Sequence, residues 1–465
     1  MAELHPVYWP VRDLTAAYAC GDLDPVSVVE DVIERIDEVD ARLHAYTLTT
    51  PELARAQARS ASERYRRGDI APLLGVPVSV KDAFHMADQE TSLGSLTQRG
   101  RVARSDSGAV ARLRQAGAVF AGKTNVPEFC QSATNENLLG HDTMNPWDPS
   151  RTPGGSSGGA AVSVAAGMAT VGLGSDGGGS IRIPAAFCGL VGVKPSLGLC
   201  PDERGFRAMT DFVSAGPLAR NVDDARLLVE VLSGSALDRA DVPTLRIGYC
   251  PRPEGRPVDP EIVEHMDLVA KTLVAQGHDV IEHELPLEGW NEIFGPLVLD
   301  DELRERAHLL DAPDLLTRYE RASLLAAQRL SSQEVADARA ALASYRTRIN
   351  ADLHVFDVYL TPTVATPAFR LGQRPTTIDE TPVDWLWGAF PFTSPFNVAG
   401  TPAVTLPVGL ARGLPVGAQL VGASGTDARL LDLAENVERA VAFDQTPVVR
   451  RWADGKSPIP AGAQR

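Results

Sequence analysis

The chain has 465 residues, with 44 Lys plus Arg against 60 Asp plus Glu, for a formal net charge of −16 at pH 7. Apolar residues make up 44% and charged residues 22%, which suits a packed globular protein and excludes a disordered one. The acidity argues against nucleic acid or an anionic membrane as the main partner.

The N-terminal stretch MAELHPVYWPVRDL lacks a basic region followed by an apolar core, so no secretory signal is expected. Residues 1–67 read as helices. Asp24 and Pro25 supply an N-cap followed by proline at the first helical position, and Val29, Val32, Ile33 and Ile36 continue at helical spacing. A polar, Ala- and Arg-rich helix is expected from Pro51 to Arg67. Leu74–Val80 reads as a buried strand ending at Lys81 and Asp82. Ser107–Ala116 reads as a helix, and Ala118–Ala121 as a short strand leading to Lys123 and on to Phe129.

Residues 154–192 are the most unusual part. They hold 12 of the 40 glycines and only two charged residues, Asp176 and Arg182. A flexible linker would be polar, whereas this segment carries the apolar runs Ala160–Val171 and Ile181–Val193, so it is expected to be buried. Buried, Gly-rich backbone outside regular strands is where N–H groups can be aimed at a ligand.

Beyond it, a helix is expected at Asp223–Leu232. A β-α-β pattern follows from Leu245, Ile247 and Tyr249, through Ile262, Met266, Val269 and Leu273, to Val280 and Ile281, with Gly277 as a stop signal. Asp300–Leu353 reads as helical and highly charged, without chemistry of its own. Phe356–Leu360, Thr401–Val408 and Val416–Val421 read as strands, and Asp427–Val441 as a last amphipathic helix. Helices alternating with strands imply an α/β protein. No run of about 18 apolar residues predicts a membrane span. Five scattered cysteines with no CxxC pair fit a reduced, cytoplasmic protein.

Two short motifs mislead. Gly172–Gly177 satisfies GxGxxG, but no helix start follows it, and no acidic residue stands about 20 positions on, the nearest being Asp202. Gly154–Gly158 satisfies GxSxG, but the three prolines in Asn145–Pro153 rule out the strand that a nucleophile elbow needs. The nine histidines form no metal pattern, and no HExxH occurs, so neither a metal nor an organic cofactor is expected. What remains is serine with lysine. Only five residues are lysine (Lys81, Lys123, Lys194, Lys271, Lys456), leaving 39 arginines. Lineage bias accounts for the scarcity, but a buried lysine can become a base where arginine cannot. Composition does not choose among Lys81, Lys123 and Lys194, nor among Ser156, Ser157 and Ser180; Lys81 paired with Asp82 is the plain structural alternative.

Motifs do choose. Thr152–Gly167 (TPGGSSGGAAVSVAAG), Gly174–Gly189 (GSDGGGSIRIPAAFCG) and Val193–Pro195 together resemble the amidase signature family. Gly75–Asp82, Gly122–Phe129, Gly216–Arg220, Leu360–Thr363, Phe396–Pro402 and Gly413–Gly417 resemble further family blocks in family order, so the likeness covers essentially the whole chain. The resemblance implies one α/β domain over 1–465 with a central mixed, twisted sheet flanked by helices on both faces. Within it lie N-terminal helices (1–67), a catalytic core (68–240), a more variable α/β and helical region (241–385) and C-terminal strands and helix completing the sheet (386–465).

The resemblance also implies a catalytic set: Ser180 as nucleophile, Ser156 as a bridging serine after a cis peptide bond, and Lys81 as base. A serine hydroxyl needs a base within reach, and lysine can serve if burial lowers its pKa toward about 7–8. The N–H groups of Gly177, Gly178, Gly179 and Ser180 would form the oxyanion hole, each such donor being worth about 2.7–4 kcal/mol. Gly177 departs from the bulkier residue common in the family, which predicts a looser loop. Ser157, Asp176 and Arg182 would support the site. Pocket candidates are Phe129, Cys130, Gln131 and Ser132, together with Trp385, Trp387, Phe390, Phe392 and Phe396, aromatics suited to an aryl or bulky apolar acyl group. The implied activity is hydrolysis of a small-molecule amide, anilide, hydrazide or ester, often by a homodimer. A glutamine-hydrolysing A subunit of a tRNA-dependent amidotransferase and a non-catalytic binding protein on the same fold are the alternatives.

Overall fold

The computed structural model describes residues 5–201 and 208–453; the first four residues, Asp202 and Lys456 lie outside them. Eleven strands of the described residues form one sheet: β1 (Tyr46–Thr49), β2 (Pro77–Lys81), β3 (Val119–Thr124), β4 (Val171–Asp176), β5 (Val191–Lys194), β6 (Ser214–Ala219), β7 (Arg246–Tyr249), β8 (Asp279–Glu282), β9 (Val358–Pro362), β10 (Ala403–Ala411) and β11 (Leu414–Gly422). Their order across the sheet is β1-β3-β2-β4-β6-β5-β10-β11-β9-β7-β8. β2 runs parallel to β3 and β4, and β7 runs parallel to β8 and β9. The other neighbours are antiparallel, so the sheet is mixed.

The central strands are buried along their whole length, as strands covered on both faces must be. Successive residues of β3 show the two faces: Phe120 joins one apolar core, and Val119 and Ala121 join another. The helix Gly158–Ala165, buried at every position, packs against β4 and β2.

The Asp24 carboxylate accepts the Val26 N–H at 2.8 Å and starts the helix Pro25–Arg35, as the sequence predicts. The helix Asp427–Val441 also has its predicted bounds. Two expectations need correction. The first 67 residues are not all helical: Asp40 accepts the Ala45 N–H at 2.5 Å, ends the local helix, and releases the chain into edge strand β1. The 300–353 region is helical as expected, divided among Trp290–Arg306, Arg318–Ala327 and Ser332–Val355. Pro313 interrupts it, and Ser331 restarts it through a capping box with Glu334. A further helix, Thr446–Ala453, follows the predicted last one, anchored by Trp452, whose indole donates to the Pro146 carbonyl at 2.9 Å.

The pairing of β2 with β4 is what builds the site. Because the strands are parallel, Lys81 at the end of β2 and Ser175–Asp176 at the end of β4 emerge at the same edge.

Candidate active site

Lys81 is fully buried. Its Nζ donates to Ser156 Oγ at 2.7 Å, to Ser175 Oγ at 3.0 Å and to the Ser175 carbonyl at 3.1 Å. The Gly155–Ser156 peptide bond is cis. Ser157 ties the segment to Ser180: its N–H donates to the Ser180 carbonyl at 3.0 Å, and its hydroxyl to the Ser175 carbonyl at 3.3 Å. Asp82, the structural partner considered for Lys81, instead forms an ion pair with Lys123 at 2.5 Å.

From Thr152 to Ser196 every residue is buried except Gly178 and Ser180, which are half-exposed. Of these two, only Ser180 carries a side chain. Among the described residues the hydroxyls of Ser156 and Ser180 share no hydrogen bond; such links are often open without substrate and tighten in the complex.

The loop carrying Ser180 hangs on Asp176 and Arg182, both fully buried. Arg182 Nε and Nη2 each donate to the Asp176 carboxylate at 2.9 Å, in the bidentate geometry that makes such pairs strong. Arg182 also donates to Gln419 Oε1 at 2.7 Å, Asn397 Oδ1 at 2.5 Å and the Thr393 carbonyl at 3.0 Å. Burial alone would raise the Asp176 carboxyl, but the Arg182 charge and the hydrogen bonds from Arg182 and Asn397 hold it below the ordinary carboxylate range.

This network corrects one expected oxyanion donor. The Gly179 N–H donates to Asp176 Oδ1 at 2.7 Å, so it supports the loop. Gly179 has φ +125°, and a Cβ there would collide with Thr393 Oγ1, so both conformation and space require glycine. The Gly178 carbonyl is held by Thr393 Oγ1 at 2.7 Å and Ser394 Oγ at 3.0 Å. Among the described residues, no acceptor takes the N–H of Gly177, Gly178 or Ser180. Nor is the loop loose at Gly177: a Cβ there would lie 2.5 Å from Met209 Sδ, so that methionine fills the space.

The amidase family model matches residues 27–431 of this chain. The chain belongs to the amidase signature family. The A subunit of the glutamyl-tRNA(Gln) amidotransferase from Carboxydothermus hydrogenoformans is 33% identical over 480 residues, covering 94% of this chain and 98% of the relative. A Mycobacterium tuberculosis protein that carries the name amidase AmiB2 is 36% identical over 441 residues, covering 91% and 94%. A crystal structure of an amidase superposes with a TM-score of 0.87 at 33% identity, covering 93% of this chain and all of the other.

Within this family member, the predicted pocket residues part company. Phe129 and Cys130 are buried in a small core, with Arg306 lying 4.7 Å from the Phe129 ring. Phe392, Phe390 and Phe396 are each 1% exposed and belong to three different cores, because residues close in sequence here face different sides of the sheet. Trp385 is 57% exposed, with Arg374 over its ring at 4.5 Å. Gln131 is half-buried and Trp387 half-exposed.

Several side chains at the site were not singled out from the sequence. Asn397 lies within the Phe396–Pro402 motif, and its Nδ2 donates to Asp176 at 2.9 Å. Ser175 lies within the Gly174–Gly189 motif, but only the β2–β4 pairing brings it to Lys81. Phe294, whose ring faces Gly178, comes from a helix more than 100 residues downstream and left no sequence signal.

Proposed function

We propose that this protein hydrolyses a carboxylic amide through an acyl-enzyme on Ser180. The observation that carries the reading is the buried Lys81 amine 2.7 Å from Ser156, beside a wall that opens to solvent only at Gly178 and Ser180. Unprotonated Lys81 accepts the Ser156 proton as Ser156 accepts that of Ser180. Ser180 Oγ bonds to the carbonyl carbon. The N–H groups of Gly177, Gly178 and Ser180 receive the oxyanion. The C–N bond breaks as the proton returns through Ser156 to the leaving nitrogen, and water then releases the acid by the same relay. Lys81, Ser156 and Ser180 act on protons and carbon, whereas Ser157, Asp176 and Arg182 hold them in place.

The C. hydrogenoformans relative supports a second reading, glutamine hydrolysis within a multi-subunit amidotransferase. Among the described residues no helix is long and apolar enough to cross a membrane, and the five free cysteines support a reducing cytoplasm as the compartment.

A panel of benzamide, fatty amide, anilide, hydrazide and glutamine substrates, with fluorophosphonate labelling, tests the proposal. Amide turnover and labelling should both vanish in Ser180→Ala, with a loss of about 10⁴-fold or more in kcat. Turnover surviving in that variant would sink the nucleophile assignment, and glutamine as the preferred substrate would favour the second reading.

A further inference from the structure

Ser175 takes part in none of the proton transfers above, yet it touches Lys81 twice. Lys81 Nζ donates to the Ser175 carbonyl at 3.1 Å and to its hydroxyl at 3.0 Å, against 2.7 Å to Ser156 Oγ. Ser175 lies in β4 and is 3% exposed. Its backbone is fixed independently of the lysine. It stands opposite Ala215 in the antiparallel pairing of β4 with β6. Ser157 Oγ donates to the same carbonyl at 3.3 Å and accepts the Ser175 N–H at 3.4 Å. The charged neighbours of the two residues in sequence are committed elsewhere: Asp82 pairs with Lys123, and Asp176 with Arg182.

A base must aim its lone pair, not only its nitrogen, at the proton it takes. The lysine ammonium has three N–H donors, whereas the neutral amine keeps two and gains a lone pair in the remaining direction. A carbonyl oxygen can only accept, so the Ser175 carbonyl takes one N–H in either state. With the second N–H on Ser175 Oγ, the lone pair falls on Ser156, the nearest of the three oxygens. We infer that Ser175 is a positioning residue of this enzyme: its carbonyl and hydroxyl hold the two N–H groups of neutral Lys81 and turn the lone pair onto the Ser156 hydroxyl. The inference rests on the acyl-enzyme reading above and adds what aims the base. Removing the hydroxyl has two consequences. The amine is freer to turn its lone pair away from Ser156. The ammonium also loses more than the amine does, because a charge-assisted hydrogen bond is roughly twice as strong as a neutral one, so the proton leaves more easily.

The test follows the rate of fluorophosphonate labelling of the full chain against pH. In labelling, Ser180 Oγ bonds to phosphorus, fluoride leaves, and the Ser180 proton passes to Ser156 as the Ser156 proton passes to Lys81. The rate therefore falls on the acid side as Lys81 becomes protonated. In Ser175→Ala the plateau rate should fall about 10- to 100-fold. The acid limb should move to lower pH by about 0.5–1 unit. Ser175→Thr and Ser175→Val share one shape and differ in the hydroxyl, so crowding is common to both. The valine variant should show the alanine shift, and the threonine variant should keep the wild-type limb. A purely structural defect lowers the labelled fraction without moving the limb. A plateau within twofold of wild type, a limb that stays in place or a limb that moves to higher pH overturns the inference; the last outcome would mean that the Ser175 hydroxyl donates to the lone pair and competes with Ser156. Failure of the underlying reading looks different and removes the inference with it: wild type is then not labelled, Ser180→Ala still is, or Lys81→Met is labelled at the wild-type rate.

Discussion

Lys81 and Lys123 stand on neighbouring parallel strands, and both are fully buried. Lys123 pairs in register with Val80 and Thr124 with Lys81, so the two amines leave the sheet on opposite faces. Lys81 enters the Gly-rich face and meets the hydroxyls of Ser156 and Ser175. Lys123 meets the Asp82 carboxylate at 2.5 Å, the Thr91 hydroxyl at 2.6 Å and the Glu90 carbonyl at 2.9 Å. Asp82 is itself fixed by the Ser92 and Thr47 hydroxyls. Burial lowers the Lys123 amine overall, although the Asp82 charge and hydrogen bond oppose it. The two buried amines thus differ in their partners: Lys123 meets a carboxylate at contact distance, and Lys81 meets hydroxyls.

The sharpest way to break the comparison is to remove the ability to lose a proton while keeping the charge. Lys81→Arg should cost about 10²–10⁴-fold in kcat, the usual worth of a positioned base, with the protein still folded by circular dichroism. A Lys81→Arg enzyme with near wild-type kcat would refute the relay. Lys123→Met should do the reverse. It leaves Asp82 buried without its cation, a defect of about 3–5 kcal/mol, read as a lower denaturation midpoint in urea, while kcat per labelled active site stays close to wild type. Loss of activity without loss of stability in that variant would exchange the roles of the two lysines.

Much of this arrangement was legible because its signals are local. The Asp24 cap, the strand before Lys81 and the amphipathic helix Asp427–Val441 each depend on neighbours within a turn or a strand. The apolar runs among the glycines of 154–192 announced a buried segment for the same reason. What the sequence hid is set by distant pairing. Nothing in the highly charged 300–353 stretch set Arg306 and Glu320 apart, yet they are 2% and 0% exposed and bond at 2.8 Å. Phe390, Phe392 and Phe396 looked like one aromatic cluster and are three separate core residues. The Gly179 N–H looked like an oxyanion donor because the motif does not say where the Asp176 carboxylate points.

Lys194 extends the comparison and carries the smallest effect. It is fully buried at the end of β5, and its Nζ donates to the Pro195 carbonyl at 3.1 Å. Burial lowers this amine first, and the Arg182 charge adds to that; Asp176 and Asp427 oppose it, Arg346 lowers it further, and the result is a pKa of about 7 against an ordinary 10.5. Among the described residues no carboxylate lies at contact distance from it, unlike Lys123. Between pH 7 and 10.5 the unfolded chain then holds a proton that the folded one lacks. Stability must rise with pH across that window, by at most about 1.4 kcal/mol per pH unit, and the contribution is lost as pH falls toward 7. Lys194→Met has no amine to titrate, so the difference in unfolding free energy between wild type and variant should move in favour of wild type from pH 7 to pH 9 in urea titrations. A difference that stays flat, or moves toward the variant as pH rises, would show that Lys194 keeps an ordinary proton affinity despite its burial.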